Sequence, residues 1–448
     1  MNEDKLIVDA LVIGAGIAGL QSALDLAEQG FRVAIVEREP SIGGKMISLS
    51  KVFPTLDCAS CITTPKMAAA AHHEKITILT YSNVDALQET ESLFAVRVTR
   101  KARGVDENLC IGCRQCEYEC PVDVPHVFEG NLGARRAIYV PFGNAIPQTA
   151  LIDVENCVLC GKCERVCPTR AVDLLQSPRT ITINAKAIVV ATGFEQTPPT
   201  AKGQYGYGQV SNVITALQAE RLLAPHGPYG RVLRPSDGKV PGSIAYVQCA
   251  GSRDRSLGVP YCSRVCCMFA IKQAMLLSGA LPLADITIYY MDVRAFGKGY
   301  EQFYQNAKAM GIEFVKGKVA RITEGSNQNP VVRVELIEDG GAVVEREHDL
   351  VVLSLGMQPA WRPEGLAPLK ADRDGFIHCP SAKISPALTD RPGVFVAGTA
   401  AGPKDIVDSI VEAGAAAAEA ANYLRGLACR AANFPTLDAH VADEIGAR

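Results

Sequence analysis

Two copies of one cysteine run constrain this chain more than any other feature. Cys110, Cys113, Cys116 and Cys120 are spaced C-x2-C-x2-C-x3-C with Pro121 after the last; Cys157, Cys160, Cys163 and Cys167 repeat the spacing before Pro168. Three thiols so close in sequence can converge on one [4Fe–4S] cube from a tight loop, and the fourth leaves on a short helix to serve the other cube. The expected sets are therefore Cys110, Cys113 and Cys116 with Cys167, and Cys157, Cys160 and Cys163 with Cys120. Zinc is the alternative use of such thiols, and the doubling of the run speaks against it. Sixteen cysteines in 448 residues are too many for an ordinary cytosolic enzyme. The N-terminus reads as a strand with no signal peptide, so a cytoplasmic location is expected. Disulfides are disfavoured there, which directs the cysteines to metal or redox chemistry.

The strand is residues 6–13, an apolar run that leads into Gly14-Ala15-Gly16-Ile17-Ala18-Gly19 and then a helical pattern. A second apolar run ends at Glu37. This is G-x-G-x-x-G in the strand–turn–helix setting that binds a dinucleotide, with an acid about 20 residues on. Gly14 allows the turn, Gly16 admits the pyrophosphate and Gly19 lets helix and strand close up. The helix N-terminus faces the phosphates, and Glu37 would accept the ribose hydroxyls. Three further stretches bear on which dinucleotide: Gly43-Gly44-Lys45, the strand 188–193 ending Ala191-Thr192-Gly193, and the strand 393–398 ending in Gly398 before an alanine-rich helix. Together they resemble the two-dinucleotide-domain flavoproteins related to thioredoxin reductase, which implies FAD. Where those proteins carry Gly-Asp this chain has Gly398-Thr399, so no ribityl carboxylate is assigned.

A second cysteine set, Cys249, Cys262, Cys266 and Cys267, reads C-x12-C-x3-C-C. Spacing alone leaves open whether it holds a third cluster. The surrounding residues, 248–254 and 261–270, closely resemble the HdrA family of heterodisulfide reductase subunits, as do Cys58-Ala59-Ser60-Cys61 with Pro65-Lys66-Met67, and residues 397–406. The resemblance covers nearly the whole chain. It implies that the second set binds a [4Fe–4S] cluster near the flavin, making three clusters with one FAD, and that Lys272 sits at the flavin N5 side. The long members of that family carry extra cluster domains at both ends, so the chain is expected to be one of the short, quinone-interacting or heterodisulfide-reductase-like forms. Cys58 and Cys61 are left open as a redox dithiol, ligands completed by a partner, or a packed pair; Cys379 and Cys429 read as incidental thiols.

The predicted class is α/β: a thioredoxin-reductase-like flavoprotein with an inserted two-cluster ferredoxin module. FAD-binding parts are expected at 1–104, 176–198 and 350–448, the ferredoxin module at 105–175, and a degenerate second dinucleotide domain at 199–349, with a hairpin turning at Asp339-Gly340. That second domain is degenerate because its first strand runs into Gln248-Cys249-Ala250-Gly251-Ser252 where a second glycine nest belongs. NAD(P)H is therefore not expected to enter. A net charge of −3, from 45 basic and 48 acidic residues, gives no electrostatic case for nucleic acid, and no apolar run reaches the ~18 residues of a membrane span. The expected role is that of an electron-transferring oxidoreductase subunit, working between flavin, clusters, a ferredoxin-like carrier and the other components of a heterodisulfide-reductase-like or quinone-interacting complex, with electron bifurcation and a homodimer left open. The rivals are a self-sufficient NAD(P)H oxidoreductase resembling the small subunit of glutamate synthase, and a non-catalytic electron wire or scaffold.

Overall fold

The computed structural model describes residues 4–90, 93–338, 340–361 and 369–433; Asp339, of the expected hairpin turn, lies outside them. The first sheet has seven strands. Its spine is Asp4–Ile13, which is parallel to Val33–Val36 on one side and to Arg179–Val190 on the other. Residues 179–190 then gather the chain's distant parts: the first half pairs antiparallel with Phe94–Arg100, and the second half parallel with Val394–Val396. The sheet is completed by Ile76–Leu79 and Ser82–Glu89 at its edges. The central parallel segments, 10–13, 33–36, 187–190 and 394–396, are apolar throughout because helices cover the parallel part. One covering helix is α1 (Ile17–Glu28); a second, α2 (Ala59–His72), starts at Cys58, whose sulfur accepts from the Cys61 amide and is disulfide-bonded to Cys61.

The cysteine-rich insert is closed at its base, where Asp106 N–H donates to the Ala171 carbonyl (2.7 Å) and Asp173 N–H to the Gly104 carbonyl (2.9 Å). It contains two five-residue helices, α3 (Gln115–Glu119) and α4 (Lys162–Val166).

The second sheet also has seven strands, in the order 213–215, 350–355, 243–250, 285–290, 313–324, 330–336 and 342–347. Its helices are α5 (Ala216–Leu223), α6 (Cys266–Ala280) and α7 (Tyr300–Ala309). The expected hairpin is present as Pro330–Leu336 against Ala342–Glu347. One boundary differs from expectation. Leu350–Leu355, expected at the start of the last FAD-binding part, pairs with 243–250 and 213–215 in the second sheet. All six of its residues are buried, so the strand has no polar face to show which sheet owns it. The chain crosses back just after it, where Met357–Pro359 pairs with Phe194–Gln196.

The last helix is α8 (Ile406–Asn433). Its Ala413, Ala416, Ala417, Ala420 and Ala421 are buried in the core shared with α1. Small side chains let the two helices approach closely enough for the Ser22 hydroxyl to donate to the Ala413 carbonyl at 3.0 Å. Among the described residues no helix is long and apolar enough to cross a membrane.

Candidate functional site

The turn after the first strand is built by glycines that answer two different demands. Gly14 has φ +101°, and a Cβ there would lie 2.4 Å from the Ala191 carbonyl oxygen; a Cβ on Gly19 would lie 1.9 Å from the Gly14 carbonyl oxygen. Both are demanded by packing of the chain on itself. Gly16 is not: its φ of −73° suits any residue, and the nearest atom to an added Cβ is 4.0 Å away, at Gly44. The space before Gly16 belongs to a cavity of about 1310 Å³, above the ~300–1,000 Å³ usual for small-molecule sites and roomy enough for a dinucleotide. Glu37 lines the same cavity. Its Oε2 accepts from the Ala15 amide (2.6 Å) and its Oε1 from the Glu39 amide (2.9 Å). Burial pushes its carboxyl up, and those two amide bonds work against the rise. Each oxygen keeps a free lone pair for a ribose hydroxyl. An open glycine at the helix start and a buried acid beyond it fit an FAD pyrophosphate and ribose.

Gly44, Lys45, Thr192 and Gly193 also line the cavity, and the Lys45 ammonium is paired with Glu195 at 2.9 Å. Gly19, Gly43 and Gly398, expected at the cofactor, are not among the lining residues. They serve packing instead: a Cβ on Gly43 would meet the Met67 sulfur at 3.0 Å, and one on Gly398 would meet Ala18 Cβ at 2.8 Å. Conversely, one wall comes from the inserted module through Phe128, Arg135, Tyr139 and Phe142. Arg135 stacks on the Tyr139 ring (3.7 Å) and pairs with Asp153 (2.9 Å). No spacing signal in the sequence marks these residues. The start of α8 supplies another part through Asp405, Ile406 and Ser409. Asp405 Oδ1 accepts from the Asp408 amide, a capping pattern that the sequence does display.

In the insert, the two cysteine runs adopt matching environments. Cys113 and Cys160 are exposed, Cys116 and Cys163 are buried, and the remaining four are half-buried. The residues before α3 and α4, Arg114 and Gly161, both have left-handed φ, at 63° and 71°. Burial pushes the Cys116 thiol up to about 12, and negative charge on Glu117, Cys110 and Cys113 adds to it; Cys163 is raised in the same way, chiefly by burial and then by Cys157 and Cys160. Cys110, Cys113, Cys116 and Cys167 line one small pocket. Among the described residues no three ligand-type side chains stand at single-ion distance; a four-iron cube is wider than an ion.

The second cysteine set straddles the join between the two sheets. Cys249 has φ +57° at the end of the strand 243–250, Cys262 lies in the loop that follows, and Cys266 and Cys267 open α6. Burial raises the Cys266 thiol well above its ordinary value, and Cys249, Cys267 and Cys262 each raise it further, so the four sulfurs share one electrostatic neighbourhood. That donor set, at the positive end of a 15-residue helix, fits an iron–sulfur cluster. Cys266 also lines the large cavity. The loop is tied to α8 by Arg264 to Asp408 (3.1 Å), and Tyr300, the first residue of α7, donates its hydroxyl to Asp405 (2.7 Å) just ahead of α8.

Lys272 is placed otherwise than expected. It has no solvent exposure and is absent from the cavity lining. A buried ammonium needs a partner, and it has two: the Glu220 carboxylate, also fully buried, and the Lys51 carbonyl at 2.9 Å. Glu220 in turn accepts from Gln273 and from the Ser50 amide (2.8 Å). The group joins α5 and α6 of the second sheet to the segment 48–53 beside the cavity. Glu220 lies 52 residues from Lys272, and nothing local in the sequence links them.

Comparisons with known proteins agree with this geometry. The family model for FAD-dependent oxidoreductases matches residues 9–47, and that for 4Fe–4S dicluster domains matches residues 109–171. The chain is 44% identical over 433 residues to the HdrA subunit of the H2:CoB-CoM heterodisulfide, ferredoxin reductase of Methanothermobacter marburgensis, covering 94% of itself and 65% of that protein. It is 47% identical over 423 residues to an iron–sulfur HdrA subunit, the second of that name, of the CoB–CoM heterodisulfide reductase of Methanopyrus kandleri, covering 93% and 64%. With the HdrA subunit of the ferredoxin:CoB-CoM heterodisulfide reductase of Methanosarcina mazei the figures are 44% identity, 93% and 53%. The chain thus spans about half to two thirds of the length of these curated relatives. In fold it is similar to the thioredoxin reductases of T. acidophilum (TM-score 0.53, 16% identity, covering 93% of this chain and 98% of that one) and Lactococcus lactis (TM-score 0.54, 14% identity, 94% and 99%).

Proposed function

We propose that this chain, a homologue of the HdrA subunits of heterodisulfide reductases over most of its length, is an electron-transfer subunit that passes electrons between FAD, three [4Fe–4S] clusters and the other subunits of a heterodisulfide-reductase-like complex. One observation carries the reading: the cavity that opens at Gly16 and Glu37 is also lined by Cys266 and by residues of the cysteine-rich insert. The flavin supplies a junction between two-electron and one-electron carriers. The protein's part is to place that junction. Gly14, Gly16 and Glu37 hold the dinucleotide; Arg264 braces the Cys249–Cys267 loop against α8, as Tyr300 braces α7 against the residue before it; Glu220 and Lys272 fix the second sheet's helices on the cavity's rim. Lys272 is in this reading a positioning residue. The FAD-binding unit comprises the described residues of 4–104, 176–198 and 356–433, and those of 199–355 form the second unit. Partners of the kind that the relatives' names indicate, ferredoxin or another low-potential carrier, reach the flavin through the insert, whose Cys113 and Cys160 are the exposed ligands.

NAD(P)H has no nest in the second unit, because the strand 243–250 carries Cys249 near its end and α6 begins only at Cys266. Anaerobically purified protein is expected to contain twelve irons and one FAD, and to be reduced by dithionite or reduced ferredoxin. Stopped-flow mixing with NADH or NADPH at millimolar concentration should leave the flavin oxidised. Fast bleaching by either nucleotide would overturn the reading in favour of a self-sufficient oxidoreductase. Eight irons, unchanged in Cys262→Ser, would remove the third cluster.

A further inference from the structure

The cysteine loop of the second sheet is overlaid by an ion cluster that the electron-transfer reading does not use. Asp292, just beyond the strand Asp285–Tyr290, holds two arginines at once. Its Oδ1 accepts from Arg253 Nη1 at 2.5 Å and its Oδ2 from Arg294 Nη2 at 3.2 Å. The cluster is locked to the cysteines on both sides. Arg253 lies four residues beyond Cys249 and is pinned by its amide to the Tyr261 carbonyl (2.9 Å), next to Cys262. The carbonyl oxygen of Asp292 lies 3.8 Å from the Cys267 sulfur. The Arg253 guanidinium lies beside the Cys249 sulfur. Arg294 in turn feels the negative charge of Cys262 and Cys267.

The charges nearby do not cancel. Lys202 is matched by Asp254 (2.9 Å), and Arg264 by Asp408 (3.1 Å). Arg253 and Arg294 share the single carboxylate of Asp292, which leaves one positive charge in excess beside Cys249, Cys262 and Cys267. A four-thiolate cluster becomes more negative by one charge when it takes up an electron. A fixed positive charge beside it stabilises the reduced form more than the oxidised one.

We propose that Asp292 holds Arg253 and Arg294 as a cationic clamp over the Cys249–Cys267 cluster, and that this clamp raises the cluster's reduction potential. The clamp would make that cluster an easier electron acceptor than four thiolates alone provide. The proposal rests on the third cluster being present, and its test separates the two. Both arginines are partly exposed, so water screens part of their effect.

The measurement is a redox titration followed by electron paramagnetic resonance on the anaerobically purified full chain, with iron counted in every sample. Arg253→Ala and Arg294→Ala should each lower the equilibrium constant for one-electron reduction of this cluster by about three- to tenfold, up to ~59 mV in midpoint. The insert's clusters, far from the substitution in sequence, serve as the internal reference and should stay unchanged. Arg253→Lys, which keeps the charge, should restore most of the shift; a merely structural arginine would give no such rescue of a potential. If Arg253→Ala loses iron, Arg253→Gln takes its place in the comparison. Twelve irons with an unmoved midpoint in both variants would overturn the clamp. Eight irons in the unsubstituted protein would instead overturn the third cluster itself.

Discussion

Substituting alanine at Gly16 and, separately, at Gly19 should produce opposite phenotypes, because the two glycines answer to different neighbours. At Gly16 the backbone is in a conformation open to alanine, and the new methyl meets nothing closer than 4.0 Å in the protein. Loss of chain freedom in the unfolded state favours alanine by about 0.4–1 kcal/mol. Gly16 is also the N-cap of α1, where alanine is worse than glycine by an amount on the order of 0.5–1 kcal/mol. The two effects offset, so the stability of the apoprotein should change by less than about 1 kcal/mol. The methyl nevertheless stands where a pyrophosphate must approach the helix N-terminus. Displacing one charge-assisted hydrogen bond costs about 1.5–3 kcal/mol, which is a roughly tenfold to hundredfold loss of FAD affinity. At Gly19 the Cβ would stand 1.9 Å from the Gly14 carbonyl oxygen, a backbone atom that cannot step aside. Overpacking of this kind costs about 1–3 kcal/mol, and the apoprotein should melt several degrees lower. Flavin fluorescence titration of the apoprotein, paired with thermal melts of the same samples, reads both quantities. Unchanged FAD affinity in a well-folded Gly16→Ala protein would refute the placement of the pyrophosphate at this turn.

Lys272→Met should destabilise the protein by about 3–5 kcal/mol, because it strands the Glu220 carboxylate in the interior; adding Glu220→Gln should recover at least half of that loss in urea unfolding, and failure to recover would mean that the pair does not act as a unit. His348 is buried, with Ser243 and Tyr289 on its two ring nitrogens at 2.8 and 2.9 Å. Burial first, and then Arg346, lowers its pKa to about 4. A depressed folded-state value means that the contribution to stability is complete above the unfolded value of ~6.5 and declines as pH falls towards 4, by about 3 kcal/mol over that window. Melts of the apoprotein between pH 4 and 7 should therefore be flatter for His348→Gln, and parallel curves would refute the assignment.

The chemistry set by short spacing is legible in the chain itself. Gly14 to Gly19 and the two runs ending at Cys120 and Cys167 are local instructions: a tight turn or loop places those atoms wherever the chain goes, and family resemblance extends the reading to Cys249, Cys262, Cys266 and Cys267. Tertiary structure decides what depends on partners far along the chain. Leu350–Leu355 is buried on both faces, so its side-chain pattern has no period to declare a sheet, and only its hydrogen-bonding partners assign it to the second one. Lys272 reads in sequence as a helix lysine free to reach a flavin, yet Glu220, brought up on a neighbouring helix, satisfies its charge in the interior. Gly43 and Gly398 carry glycine because Met67 and Ala18 crowd them, and Phe128 and Tyr139 reach the cavity only because the insert folds back over it. Spacing along a chain controls what neighbours in sequence can do together; which distant side chains meet, and so which charges are compensated and which cavity wall a residue joins, is fixed by how the two sheets and the insert pack.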